Sequence, residues 1–193
     1  MVTFRIPSAV VFPHLLLVAL IGCGGSVLDP AQEPGDSLPE PALLLTTDRP
    51  DYAASYLHGE GTYRIYGFTI IARLENRFMQ RLFISRCFPN SPGPIYDVAL
   101  IDGTDAWGSA YSKAWGCVGH DQQFPLEPGQ IRVDTLALQG PWFFDGRTGH
   151  PFGTLAGRMR LLYGLGTCPG EATGCLLPRS QGQSNVFTVR LAQ

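Results

Sequence analysis

Polar and apolar residues alternate with a period of two in several short segments, the pattern of β-strands with one buried face. The clearest segment covers residues 62–76, where one face carries Tyr66, Phe68, Ile70, Ala72 and Leu74. In residues 157–165 the apolar face is formed by Met159, Leu161, Tyr163 and Leu165. In residues 184–192 it is formed by Phe187, Val189 and Leu191. These faces predict a shared hydrophobic core.

Further strands are predicted at 43–48, 81–87, 94–102 and 131–139, which are short runs rich in β-branched or aromatic residues between turn-forming residues. Asp102-Gly103 predicts a hairpin whose return strand is 106–117. The sequence has no convincing long helical period and no internal repeat. We therefore expect an all-β fold, an immunoglobulin-like antiparallel β-sandwich of about eight strands, with a small barrel as the alternative.

Residues 1–22 have the composition of an export signal. Arg5 supplies positive charge, and the apolar run 9–21 is shorter than the roughly 20 residues that a membrane-spanning helix needs. A run of this length suits the apolar region of a signal peptide. A buried core helix is the alternative, but the polar segment that follows the run argues against it.

The export signal ends in Leu20-Ile21-Gly22-Cys23, which resembles the lipobox of bacterial lipoproteins. The resemblance implies that cleavage leaves Cys23 as the first residue, with diacylglycerol on its sulfur and, in many bacteria, a further N-acyl chain. More than one acyl chain is needed for stable anchoring. Gly24, rather than Asp, resembles the outer-membrane pattern of Gram-negative lipoproteins. We expect an exported, membrane-anchored lipoprotein; a chance cysteine after an ordinary signal peptide is the alternative.

Residues 23–41 are predicted to form the lipidated cysteine and a disordered tether. Prolines alternate with acidic residues there, and no basic residue is present. Such a segment buries too little apolar surface to offset its ordering entropy. The chain therefore divides into a signal peptide at 1–22, the anchor and tether at 23–41, and one β-sandwich domain at 42–193.

The formal net charge of the chain is −2, and the tether contributes acids but no bases. The folded domain is therefore close to neutral and lacks the basic surface of a nucleic-acid-binding protein. Lys113 is the only lysine. The expected partners are the membrane, through the lipid anchor, and an envelope protein or glycan, with no nucleic acid.

Four cysteines remain once Cys23 is assigned to the anchor, and an even number in an exported domain predicts disulfides. Of the three possible connectivities we expect Cys87–Cys117 with Cys168–Cys175, since the second pair brackets a short Gly/Pro loop. The spacing of Cys117 and His120 also fits a zinc site, which would need Cys87 and His58 or His150. The export signal favours the disulfides, so no metal and no cofactor is expected.

No segment has the pattern of a catalytic site. Ser109 lies in "AWGSAYS", which lacks the second glycine of a nucleophile elbow and precedes no helix. The glycines of 164–170 open no helix that would receive a phosphate. We therefore expect no enzyme activity and name no catalytic residue.

The segment 139–153 sets aromatic residues among glycine, proline and aspartate, and its Trp142, Phe143 and Phe144 are the candidate binding residues. Exposed loop aromatics are typical anchors for a partner. The alternative, which we favour, is that Trp142 and Phe144 close one end of the core. Because neighbouring side chains of an extended segment point to opposite sides, Phe143 is then the exposed ring.

Three short motifs, "LEPGQ", "GRMRLLY" and "SNVFTV", are similar to the C-terminal half of small bacterial immunoglobulin-like modules, including those of the intracellular proteinase inhibitor type. Met159 stands where such modules often have tyrosine. The resemblance implies the fold. The leading hypothesis is a lipid-anchored, non-enzymatic envelope protein whose sandwich binds a protein or glycan. A proteinase inhibitor is the alternative, and a zinc-dependent hydrolase ranks third.

The lipobox leads to a first prediction. Cys23→Ser removes the only sulfur available for acylation at the cleavage site, so we expect unprocessed or soluble protein when cells are fractionated. A variant of mature length that still fractionates with membranes would contradict the assignment.

Overall fold

The computed structural model describes residues 43–87, 91, 93–103, 106–117, 122–169 and 174–192. The predicted signal peptide, Cys23 and the predicted tether lie outside these residues, as does His120. Nearly all of the regular structure is β. The strands are β1 (Leu43–Thr47), β2 (Asp51–Glu60), β3 (Tyr63–Asn76), β4 (Leu82–Arg86), β5 (Tyr96–Leu100), β6 (Ser112–Lys113), β7 (Gln122–Leu126), β8 (Ile131–Gly140), β9 (Gly157–Tyr163), β10 (Leu165–Gly166) and β11 (Phe187–Leu191).

One short 3-10 helix, Arg179–Gly182, precedes β11. Within the described ranges no helix is long and apolar enough to cross a membrane.

The strands form two layers, and β2 contributes to both of them. Eight strands are joined in the order β5-β9-β11-β2-β3-β8-β6, with β1 also paired to β3, and β10-β4-β7 form a smaller sheet. Residues 51–54 of β2 pair in parallel with β11, whereas residues 55–60 pair antiparallel with β3. β2 therefore belongs to one layer up to Ala54 and to the other layer from Ser55 onwards.

The smaller sheet continues the layer of β9 and β5. Gly164 separates β9 from β10, and its carbonyl accepts a hydrogen bond from the Ser85 amide of β4 at 3.0 Å. The Ile95 amide in turn donates to the Ser85 carbonyl at 2.7 Å. This bond places the start of β5 next to the end of β4, so the two strands follow one another in the same layer. One layer is thus β1, β2, β3, β8 and β6, and the other is β2, β11, β9/β10, β5/β4 and β7.

This arrangement confirms the predicted all-β immunoglobulin-like sandwich. The described residues contain more strands than predicted because β2 and β7 were not predicted, and because Gly164 divides the strand predicted at 157–165 into β9 and β10. The pairing is not purely antiparallel either, because β11 runs parallel to β2.

The predicted apolar faces form the core. Ile70, Ala72 and Leu74 are buried, and Tyr66 and Phe68 pack against the core while remaining partly exposed. The predicted face of β9 and β10 is buried throughout. The prediction for Leu191 was wrong: its side chain is 38% exposed, because the pairing of β11 with β9 ends at Val189.

The predicted hairpin across Asp102-Gly103 was also wrong. β5 pairs with β9, and the segment 106–117 crosses to the other layer, where β6 pairs with β8. Hydrogen bonds between the backbones of Gly108, Ala110 and Thr154 fix this crossing. Asp102 instead accepts a hydrogen bond from the Arg158 guanidinium at 2.8 Å.

Both predicted disulfides are present. Cys87 and Cys117 are bonded with their Cα atoms 5.5 Å apart, and Cys168 and Cys175 are bonded at the same Cα separation. The first bridge ties the end of β4 to the segment that follows β6. Because both of its sulfurs are committed to the bridge, neither offers a thiolate to a metal.

A polar cluster lies at the start of β8, where two charged side chains face inward. The Arg132 guanidinium makes two hydrogen bonds to the buried Asp134 carboxylate, at 2.9 and 2.6 Å. The Tyr163 hydroxyl donates to the same carboxylate at 3.2 Å. Burial, together with the Asp134 charge, raises the pKa of Tyr163, so its hydroxyl stays protonated. The Arg132 guanidinium also lies 4.0 Å from the centre of the Phe124 ring.

This cluster leads to a second prediction. Asp134→Ala leaves Arg132 and the Tyr163 hydroxyl without their shared acceptor, and breaking such a buried pair costs about 3–5 kcal/mol. Asp97→Ala is the matched control, since Asp97 forms an exposed pair with Arg179 at 3.7 Å and should contribute at most about 1 kcal/mol. Urea unfolding measures both, and equal losses of stability would contradict the assigned role.

Candidate functional site

The loop after β8 lies at the end of the sandwich opposite the start of β1. On β3, Tyr66 pairs with Gly140 at the end of β8, whereas Asn76 pairs with Leu43 at the start of β1. These two positions on β3 are separated by about 33 Å at the usual rise of a strand. We call the end near Tyr66 and Gly140 the distal end.

Tyr111 closes the core at the distal end. Its side chain is 3% exposed, and its ring meets the Phe68 ring edge-on at 4.9 Å between centroids. Burial raises the pKa of its hydroxyl, which has no hydrogen-bond partner among the described residues. Tyr111 therefore closes the end of the core that Trp142 and Phe144 were predicted to close.

The prediction that Trp142 and Phe144 close the core was accordingly wrong. Trp142 is 47% exposed, and Phe144 packs against the half-exposed Tyr63 ring at 5.1 Å instead of joining the core. Phe143 is 72% exposed, as predicted, but its neighbour Trp142 is exposed too, so burial does not alternate along this segment. Residue 140, the last of β8, has to be glycine, because a side chain there would collide with the backbone of Ala110.

The loop that carries these rings is held by its own hydrogen bonds. The Asp145 carboxylate accepts hydrogen bonds from the Arg147 amide at 2.9 Å and from the Thr148 hydroxyl at 2.8 Å. These bonds lower the pKa of Asp145. The Phe152 amide donates to the Phe143 carbonyl at 2.9 Å, which closes the loop behind the exposed ring. The exposed Phe143 ring thus belongs to a loop whose conformation is held by internal hydrogen bonds.

Trp142 and Phe143 form one wall of an open groove of about 340 Å³, which we call the aromatic groove. The other wall consists of β6 and the residues after it, and the lining as a whole is Ser112, Lys113, Trp115, Gly116, Cys117, Trp142 and Phe143. The volume lies in the range of small-ligand sites.

Both walls are fixed to β8. Ser112 and Lys113 pair with Gln139 and Leu138, and the Ala114 amide donates to the Ala137 carbonyl at 3.1 Å. Trp142 follows β8 by two residues along the chain. The Cys87–Cys117 bridge secures the far end of the wall that contains β6. The strand pairing with β8 and the disulfide therefore fix the shape of the groove, which does not depend on the binding of a ligand.

The groove carries one charge. The Lys113 ammonium lies 5.7 Å from the centre of the Trp115 ring, within the range of a cation–π contact. Lys113 makes no ion pair among the described residues, and the lining contains no acidic side chain. The groove thus combines flat apolar rings with a cation that has no acidic partner in the described lining, an arrangement suited to binding.

The sequence pattern predicted one wall of this groove but not the other. Trp142 and Phe143 were candidate binding residues, whereas no binding role was predicted for Trp115 or Lys113. The available signals were that Lys113 is the only lysine and that Trp115 precedes a disulfide cysteine by two residues. The Cys168–Cys175 bridge lies elsewhere, beside β10, where the Thr167 amide donates to the Cys175 carbonyl.

No family model and no curated protein matches this chain. Among solved structures, the ASH/PapD-like domain of human CEP192 (PapD-like domain 7) is 13% identical over 94% of this chain and 100% of that chain, with a TM-score of 0.26. A score this low carries no argument, so the fold assignment depends on the strand pairing described above.

The two roles assigned to aromatic rings at the distal end lead to a third prediction. Tyr111→Ala removes a buried ring and should cost about 3–5 kcal/mol, whereas Phe143→Ala should cost under about 0.5 kcal/mol. Tyr111→Phe should be nearly neutral, because the Tyr111 hydroxyl makes no hydrogen bond within the part of the chain that the structure describes. Denaturant melts of the three variants test this assignment, which a large loss in Phe143→Ala would contradict.

Proposed function

We propose that this protein is an exported, lipid-anchored, non-enzymatic envelope protein that binds a glycan or protein partner in the aromatic groove. The observation that carries the proposal is the pair of exposed rings, Trp142 and Phe143, facing Trp115 across a groove with a fixed frame. Aromatic side chains on a rigid frame give large contact areas with little loss of conformational entropy.

The compartment is supported by two independent features. Both disulfides are of the kind that persists in oxidising compartments outside the cytoplasm. The sequence also contains a predicted export signal that ends in a motif resembling a lipobox. Acylation of Cys23 would hold the domain at a membrane surface, and the outer membrane is the site that Gly24 favours in a Gram-negative cell.

The proposal leads to a fourth prediction. A photoreactive phenylalanine analogue at position 143 of the full-length protein should give a specific crosslink in its native envelope. Trp142→Ala in the same protein should abolish that crosslink, because it removes the neighbouring ring. Trp107→Ala is the matched control: Trp107 is also exposed but stacks on Phe152 outside the groove lining, so the crosslink should persist.

Two outcomes count against the proposal. A crosslink that survives Trp142→Ala, or no crosslink at all, means that the groove holds no envelope partner. A crosslink to a protease, together with slowed hydrolysis by that protease and recovery of its activity in Trp142→Ala, would instead support the proteinase inhibitor alternative.

A further inference from the structure

We propose that the aromatic groove binds a sugar residue that carries a carboxylate. This inference depends on the proposed function and specifies the chemistry of the partner. It follows from the ammonium of Lys113, which forms no ion pair among the described residues and lies in one groove lining with the rings of Trp115, Trp142 and Phe143.

Lys113 differs from most of the described surface arginines, which form ion pairs; Arg64 and Arg147 form none, but they lie outside the groove lining. Arg158 pairs with Asp102 at 2.8 Å, and Arg81 pairs with Glu127 at 2.7 Å. Lys113 has no such partner among the described residues, and the groove lining offers none. Its positive charge is therefore available to an anionic ligand, and an ammonium bound to a carboxylate forms a strong charge-assisted hydrogen bond.

The rings favour a sugar over an extended peptide. The C–H bonds of a pyranose face are weakly positive and pack well on the negative face of an aromatic ring. A peptide added to the edge of a sheet gains affinity from main-chain hydrogen bonds. β6 contains only two residues and would supply few of them.

The polar groups of the lining suit the same ligand. The Ser112 hydroxyl can donate or accept a hydrogen bond, and each indole N–H of Trp115 and Trp142 can donate one to a sugar hydroxyl. The volume of about 340 Å³ lies at the lower end of the range for ligand sites, which suits a short stretch of glycan.

The test uses the full-length protein in detergent and calorimetric titration with defined hexasaccharides. The probes are oligogalacturonate, oligomannuronate and alternating glucuronate–N-acetylglucosamine, each beside its carboxyl-reduced neutral counterpart. We expect at least one acidic probe to bind about tenfold more tightly than its neutral counterpart, which corresponds to about 1.4 kcal/mol. Higher salt should reduce this preference, because it screens the charge.

Matched variants assign the preference to Lys113. Lys113→Gln should abolish it, and Lys113→Arg should retain most of it. Arg64→Gln, which removes an exposed charge outside the groove, should leave it unchanged. A preference for the acidic probe that survives Lys113→Gln would overturn the inference, as would equal affinity for each acidic and neutral pair.

The crosslink at position 143 separates this inference from the proposed function. If that crosslink forms and depends on Trp142, but no acidic hexasaccharide binds or competes, the groove is a binding site for another partner and only the sugar assignment fails. If the crosslink is absent as well, both fail.

Discussion

The continuous antiparallel pairing of β3 with β8 is the interaction on which the rest of the structure depends. It extends from Tyr66 opposite Gly140 to Glu75 opposite Ile131 without a shift in register. Because side chains alternate along both strands, this register sends Ile70 and Leu136 into the core. At one end of β8 it turns Arg132 and Asp134 inward, and at the other it places both walls of the aromatic groove.

The two ends of the sandwich are closed by different chemistry. The end near Asn76 contains charged groups that are satisfied by one another, by the Tyr163 hydroxyl and by contact with Phe124. The distal end is closed by the apolar ring of Tyr111, which leaves Trp142 and Phe143 free to face solvent. Exposed aromatic rings are costly to keep in water, so a fixed frame that displays them favours a role in binding.

The sequence predicted the fold class because the alternation on β3, β9 and β11 has a single dominant period. It also predicted both disulfides, since exported chains with an even number of cysteines offer few sensible pairings. It did not predict the pairing of β6 with β8, because no local pattern distinguishes a hairpin return from a crossing to the other layer. The sequence also did not predict that Tyr111, and not Trp142, closes the distal end of the core. Which of two aromatic rings fills a given space depends on three-dimensional packing, which no local pattern shows. A binding role for Lys113 and Trp115 could not be predicted from the sequence, because only the fold brings them into one groove with Trp142 and Phe143.

The central claim is that a partner occupies the aromatic groove in the envelope. Chemical labelling of the Lys113 amine tests this claim most directly. Lys113 is the only lysine of the chain and lies in the groove lining, so an amine-reactive reagent reports on this one side chain in a peptide map. The account predicts that Lys113 reacts severalfold more slowly in intact envelopes than in the purified protein, and that Trp142→Ala removes the difference. Equal rates of modification in the two preparations would contradict it.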